Sequence, residues 1–83
     1  MIKQIVAVKD RAMDAFLQPF FVPALGGAIR AFGDEINNPQ SEMQKHPEDY
    51  DLYHLGEFND NTGEIKQLER PLQIAIGKQM KGA

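Results

Sequence analysis

The sequence predicts an α+β fold in which a small antiparallel β-sheet carries one main helix on one face, in the order strand, extended loop, helix, hairpin, strand. Three observations predict it: a β-branched run at residues 2–9, an apolar repeat of helical spacing at residues 25–36, and a turn of Asn, Asp and Gly between two later apolar runs. With 83 residues and no cysteine, the chain has material for one small core held by apolar packing, and it reads as a single domain.

In the first run, Ile2, Val6 and Val8 share one parity and Ile5 and Ala7 the other. A strand apolar on both faces belongs in the middle of a sheet. Residues 11–24 conflict: 13–17 suits a helix, but Pro19 and Pro23 break one, which leaves a loop and an extended stretch at 20–22. Leu25, Ile29, Phe32 and Ile36 then fall on one face of a helix over residues 23–37, with Arg30, Asp34 and Glu35 on the others. Asn37, Asn38 and Pro39 end it.

Ser41 followed by Gln44 is a capping-box pattern that predicts a helical turn over 41–46, and Pro47, Glu48 and Asp49 make another short turn. Residues 52–58 read as a strand with Leu52 and Phe58 on one face and Tyr53 and Leu55 on the other. Gly56 within it marks a bulge or the close approach of another backbone. The run Asn59, Asp60, Asn61, Thr62, Gly63 closes a hairpin through a type I turn ending in left-handed glycine. Residues 65–68 return as its second arm, Pro71 stops that arm, and residues 72–76 alternate as a third strand. The tail from residue 77 is expected to be flexible.

A net charge of −3 counts against a simple nucleic-acid coat, because phosphate binding needs clustered Lys and Arg. The charge is unevenly spread, however. Residues 1–30 hold Lys3, Lys9, Arg11 and Arg30 against Asp10 and Asp14, a balance of +2; residues 31–64 hold nine acids against Lys45 alone, −8; the remainder holds Lys66, Arg70, Lys78 and Lys81 against Glu69, +3. Such blocks serve solubility in most proteins, or they make a dipolar molecule whose basic ends converge on one face.

Catalytic chemistry finds no constellation. His46 and His54 stand without cysteine or an HExxH spacing, and Glu48, Asp49 and Asp51 lack the alternating loop of a calcium site. Ser41 and Thr62 already have capping and turn roles. The sequence therefore predicts no enzyme, no metal site and no cofactor. The uncharged stretch at 15–29 is shorter than the roughly 20 residues needed to span a bilayer and is broken by Pro19, Pro23, Gly26 and Gly27. No membrane association is expected, and the cytoplasm is the default location.

Binding chemistry has more to offer. Gly26 and Gly27 at the start of the helix, with Arg30 a turn later, could receive a phosphate on free N–H groups, although the lysine and hydroxyl of a P-loop are missing. Phe20 and Phe21 point to opposite sides of an extended segment, so the pair serves either as core plus a subunit interface, with both faces covered, or as one buried ring and one free for stacking on bases.

The order and separation of several short segments are specific together. They are Pro19-Phe20, residues 28–34 (AIRAFGD), Asn38-Pro39, residues 46–58 (HPEDYDLYHLGEF) and Thr62-Gly63. From about residue 9 to 77 this pattern resembles the small non-structural DNA-binding protein of gokushoviruses, the single-stranded-DNA phages of the microvirus group. The resemblance implies a phage protein of the host cytoplasm, absent from the virion, acting in the shift from duplex replication to single-strand synthesis and packaging. It assigns no contact residues.

The combined expectation is a non-enzymatic protein that binds single-stranded DNA, with Lys3, Lys9, Arg11, Arg30, Lys66 and Arg70 on phosphates, Gly26 and Gly27 at the helix start, and Phe20 or Phe21 stacking. A homo-oligomer is expected, because a symmetric pair doubles the few cations available. The competing expectation is an adaptor whose acidic middle, residues 34–64, binds a basic phage packaging protein or a replication enzyme.

Overall fold

The computed structural model describes residues 1–82. A five-stranded antiparallel sheet is formed by β1 (Ile2–Asp10), β2 (Ala15–Phe16), β3 (Phe20–Val22), β4 (Tyr50–Asn59) and β5 (Ile65–Ile76). The order is β2-β1-β4-β5, and β3 joins β2 on the same side of β1. The strand apolar on both parities is thus central, as its pattern requires.

The main helix, α1 (Leu25–Ile36), lays Ala28, Phe32 and Ile36 on Val6, Val8 and Leu52, and these six side chains form the buried core. Leu25 and Ile29 pack at its margin, while Arg30, Asp34 and Glu35 face outward. Asn37 closes the helix and its side-chain amide donates to Gly33 O at 2.9 Å. Ser41 caps α2 (Glu42–Lys45) by accepting from Met43 N at 3.1 Å, and Pro47–Asp49 forms one 3₁₀ turn. The turn after β4 is closed by Gly63 N donating to Asn59 O at 2.7 Å.

Three expectations differ from the structure. Residues 65–68 and 72–76 are one strand, β5, and Pro71 does not end it. Its ladder to β4 jumps from Gly56↔Gln67 to His54↔Leu72, so residues 68–71 bulge outward opposite Leu55. A proline is tolerated there because β5 is the sheet edge and the bulge removes the need for a ladder donor. Second, the tail expected to fray contains α3 (Gly77–Met80). Asn37 ties it down by donating to Met80 O at 2.9 Å and accepting from Gly82 N at 2.7 Å; Ala83 lies outside the described residues. Third, Tyr53 and Phe58 do not point to opposite faces, for a reason that bears on the site.

Candidate nucleic-acid interface

The site follows from the register of β1. Paired residues of neighbouring strands share a face, and successive residues alternate. Val6 and Val8 point to α1, so Lys3, Ile5, Ala7 and Lys9 point the other way. Across from them stand Phe58 (opposite Lys3), Phe21 (opposite Ile5), Tyr53 (opposite Ala7) and Phe16 (opposite Lys9). None of these four rings belongs to the core cluster under α1 among the described residues.

Tyr53 and Phe58 would occupy opposite faces in a regular strand. The ladder shifts between Ile5↔Gly56 and Val6↔His54, which makes Leu55 an extra residue and returns Phe58 to the face of Tyr53. Gly56 makes this possible: a Cβ there would lie 2.5 Å from Lys66 O on β5. His54, buried, bridges the bulge with Nε2 3.0 Å from Gly56 O.

The rings meet in two edge-to-face pairs. Phe16 and Tyr53 have centroids 5.2 Å apart at 79°, and Phe21 and Phe58 5.3 Å apart at 68°. Each pair has one outer ring, Phe16 at 40% exposure and Phe21 at 50%, and one half-buried ring. Ile5 and Ala7 are buried between them although, among the described residues, no helix lies on this side. The Lys9 ammonium stands 5.7 Å from the Phe16 centroid, in cation–π range.

The cations stand at either end of the rings. Lys3 and Lys9 flank the two pairs, and Arg11 continues the line, its guanidinium 3.9 Å from Asp51 Oδ2, with Asp51 paired to Lys9. Arg11 and Lys78 also line a groove of about 460 Å³ with Ala12, Glu48, Asp49 and Ile76. Lys3 to Arg11 spans about 26 Å of extended chain. Each cation has an aspartate nearby: Lys9 Nζ is 3.4 Å from Asp14 and Lys3 Nζ 4.0 Å from Asp60. Asp60 also accepts from the Met1 ammonium at 2.8 Å, and that hydrogen bond holds its carboxyl below the usual range. At the other end of β4, burial, reinforced by Asp10, Glu42 and Asp49, raises the Tyr50 hydroxyl.

The remaining sequence candidates lie elsewhere. Phe20 points to the helix side, as its alternation with Phe21 requires, and lines an apolar cleft of about 140 Å³ with Val8, Ala31, Phe32, Glu35 and Met43. Gly26, Gly27 and Arg30 belong to α1 in the helix layer; Arg30 lines a cleft with Gly33, Asp34, Asn37 and Met80. Lys66 pairs with Glu57, itself opposite Gln4, and so also faces the helix side, while Arg70 sits in the β5 bulge. Of the ten residues singled out from sequence, the fold unites Lys3, Lys9, Arg11 and Phe21 on one surface.

Sequence reasoning missed Phe16, Tyr53 and Phe58 as members of that surface. The only signal for Phe58 was Gly56, read as a bulge but not carried through to the parity beyond it. His46, Glu48 and Asp49 also converge, one ligand atom from each lying within 4.8 Å of the others. These three could offer mixed N and O donors to a divalent cation; Glu48 and Asp49 serve meanwhile in the first turn of the 3₁₀ helix. Among the described residues, no helix is long and apolar enough to cross a membrane.

The family model for the Phage ORF5 protein matches residues 3–80. No curated protein and no solved structure matches the chain.

Proposed function

The chain belongs to the Phage ORF5 protein family and is a phage protein, and on that premise we propose that it binds single-stranded DNA along the helix-free face of its sheet. The observation that carries this reading is the row along β1 in which cations flank the rings: Lys3, the Phe21–Phe58 pair, the Phe16–Tyr53 pair and Lys9, with Arg11 just beyond the strand. Unpaired bases offer free π-faces to exposed rings, and stacking supplies about 1–3 kcal/mol per base without reading sequence. A duplex hides those faces, so the arrangement favours single strands. Such a protein would cover new single strands in the host cytoplasm as genome synthesis turns from duplex copying to strands for packaging.

The test is fluorescence anisotropy with a labelled oligothymidine across a salt series. Three phosphate contacts per copy predict a log–log salt slope of about −2, and duplex of the same length should bind more weakly. No binding at low salt would defeat the reading and return attention to the acidic surface. Equal affinity for duplex would remove the stacking component. Mass measurement with and without the oligonucleotide reports whether copies assemble on the strand, as the small number of cations per copy leads us to expect.

A further inference from the structure

Among the described residues, three of the five ion pairs involve a cation of the ring-bearing face. Lys3, Lys9 and Arg11, all on the ring-bearing face, each lie within 4.0 Å of an aspartate oxygen; away from that face Lys45 pairs with Glu42 three residues before it in α2, and among the described residues no ion pair is formed by Arg30, Lys66, Arg70 or Lys78. A carboxylate beside an ammonium occupies the place a phosphate oxygen would take. We propose that Asp14, seconded by Asp60, is a built-in competitor for DNA phosphate, holding Lys9 and Lys3 until a strand displaces it.

Asp14 is the sharper case. It is 89% exposed, so no packing accounts for its position, and it stands at φ 54° in the turn between β1 and β2. Left-handed backbone disfavours most side chains and is tolerated by Asn and Asp. Asn would fit this backbone equally well; aspartate adds a charge directed at Lys9. The same ammonium stands over the Phe16 ring, so phosphate arrival, carboxylate release and base stacking all meet at one lysine.

The consequence is a lower affinity for charge alone. A polyanion without bases gains a Lys9–phosphate contact only by losing the Lys9–Asp14 contact, an exchange close to neutral. A single strand makes the same exchange and adds stacking on Phe16 and Phe21. The aspartates thereby lower the affinity for both ligands alike, and the difference between the two comes from the rings.

This inference rests on the proposed DNA-binding face, and the experiment separates the two. Oligothymidine and inorganic polyphosphate are titrated against the wild-type protein, Asp14→Asn, Lys9→Met, the Lys9→Met/Asp14→Asn double variant, and Asp34→Asn on the outer side of α1 as a control for net charge. The expected result is a two- to fivefold gain in affinity for both ligands in Asp14→Asn, the scale of one exposed ion pair. The gain should vanish in the Lys9→Met background and be absent in Asp34→Asn. Equal affinity of wild type and Asp14→Asn overturns the competitor while leaving the DNA face standing, as does an equal gain in Asp34→Asn or a gain that survives Lys9→Met. Absence of any oligothymidine binding by the wild type overturns the face and the competitor with it.

Discussion

The two faces of the sheet use alternate residues of the same strand for opposite purposes. Toward α1, Val6 and Val8 join Leu52, Phe32 and Ile36 in a core closed to water. Away from it, Lys3, Ile5, Ala7 and Lys9 lie among four rings that no helix among the described residues covers. Both faces bury apolar atoms, but only the first has a lid. On the second, Ile5 and Ala7 are shielded by cross-strand rings whose outer members remain half exposed, a costly arrangement unless something else stacks on them.

The comparison is broken most directly at its centre. Leu52 is wholly buried against α1, and Leu52→Ala should cost about 2–5 kcal/mol through lost burial and an unfilled cavity. A chain of this length has on the order of 4–12 kcal/mol in total, so urea denaturation should register a large drop in midpoint. Oligonucleotide affinity per folded molecule should stay the same. Loss of affinity without loss of stability would mean that the two faces are not separable.

Gly77→Ala tests the junction that brings α3 back to the core. A Cβ there would lie 2.3 Å from both Pro47 O and Tyr50 O, two backbone atoms that cannot rotate away. A destabilisation of about 1–3 kcal/mol is expected. The same substitution at Gly26 meets nothing within 4 Å and lies inside α1, so it should stabilise by up to about 1 kcal/mol. If Gly26→Ala also weakens DNA binding, the helix start takes part in the site and the two-face division is too strict.

Phe21→Ala sharpens the comparison from the open side. With half its surface exposed and one edge-to-face partner, Phe21 should contribute about 1 kcal/mol to stability. Its loss as a stacking platform should lower single-strand affinity by about 1–3 kcal/mol, roughly 5- to 150-fold. Phe20→Ala, on the neighbouring residue but the opposite face, should leave affinity unchanged; equal losses at both positions would place the ligand elsewhere.

These contrasts also explain how much could be read from the sequence. Local periodicity predicted the central strand, the helix stripe and the hairpin, since each is a repeat within a few residues. The site was half legible. Phe21 and the odd-numbered cations of β1 follow from simple alternation, but Phe58 joins them only because Leu55 is an extra residue, and parity cannot be carried across a bulge without knowing which strand absorbs it. Phe16 was hidden differently: β2 is two residues long and its pairing to Lys9 depends on the Asp14 turn, which no periodic pattern announces. Pro71 misled because proline ends central strands, and nothing local marks β5 as an edge.

The smallest effect expected lies at the hairpin end of the open face. Asp60 receives a hydrogen bond from the Met1 ammonium and lies near Lys3, and both lower its carboxyl pKa. A folded-state value below the unfolded one of about 3.9 stabilises the fold above that range, and the stabilisation is lost as pH falls through the lowered value. Nuclear magnetic resonance titration of the Asp60 side-chain carbon should therefore report a midpoint below the value it has in the unfolded chain. Because the pair is open to solvent, raising the salt should move the Asp60 midpoint up toward its unfolded value. An Asp60 midpoint equal to its unfolded value at low salt would mean that neither the Met1 ammonium nor Lys3 is held beside it in solution. Lys3 would then meet a strand with one competitor fewer than Lys9.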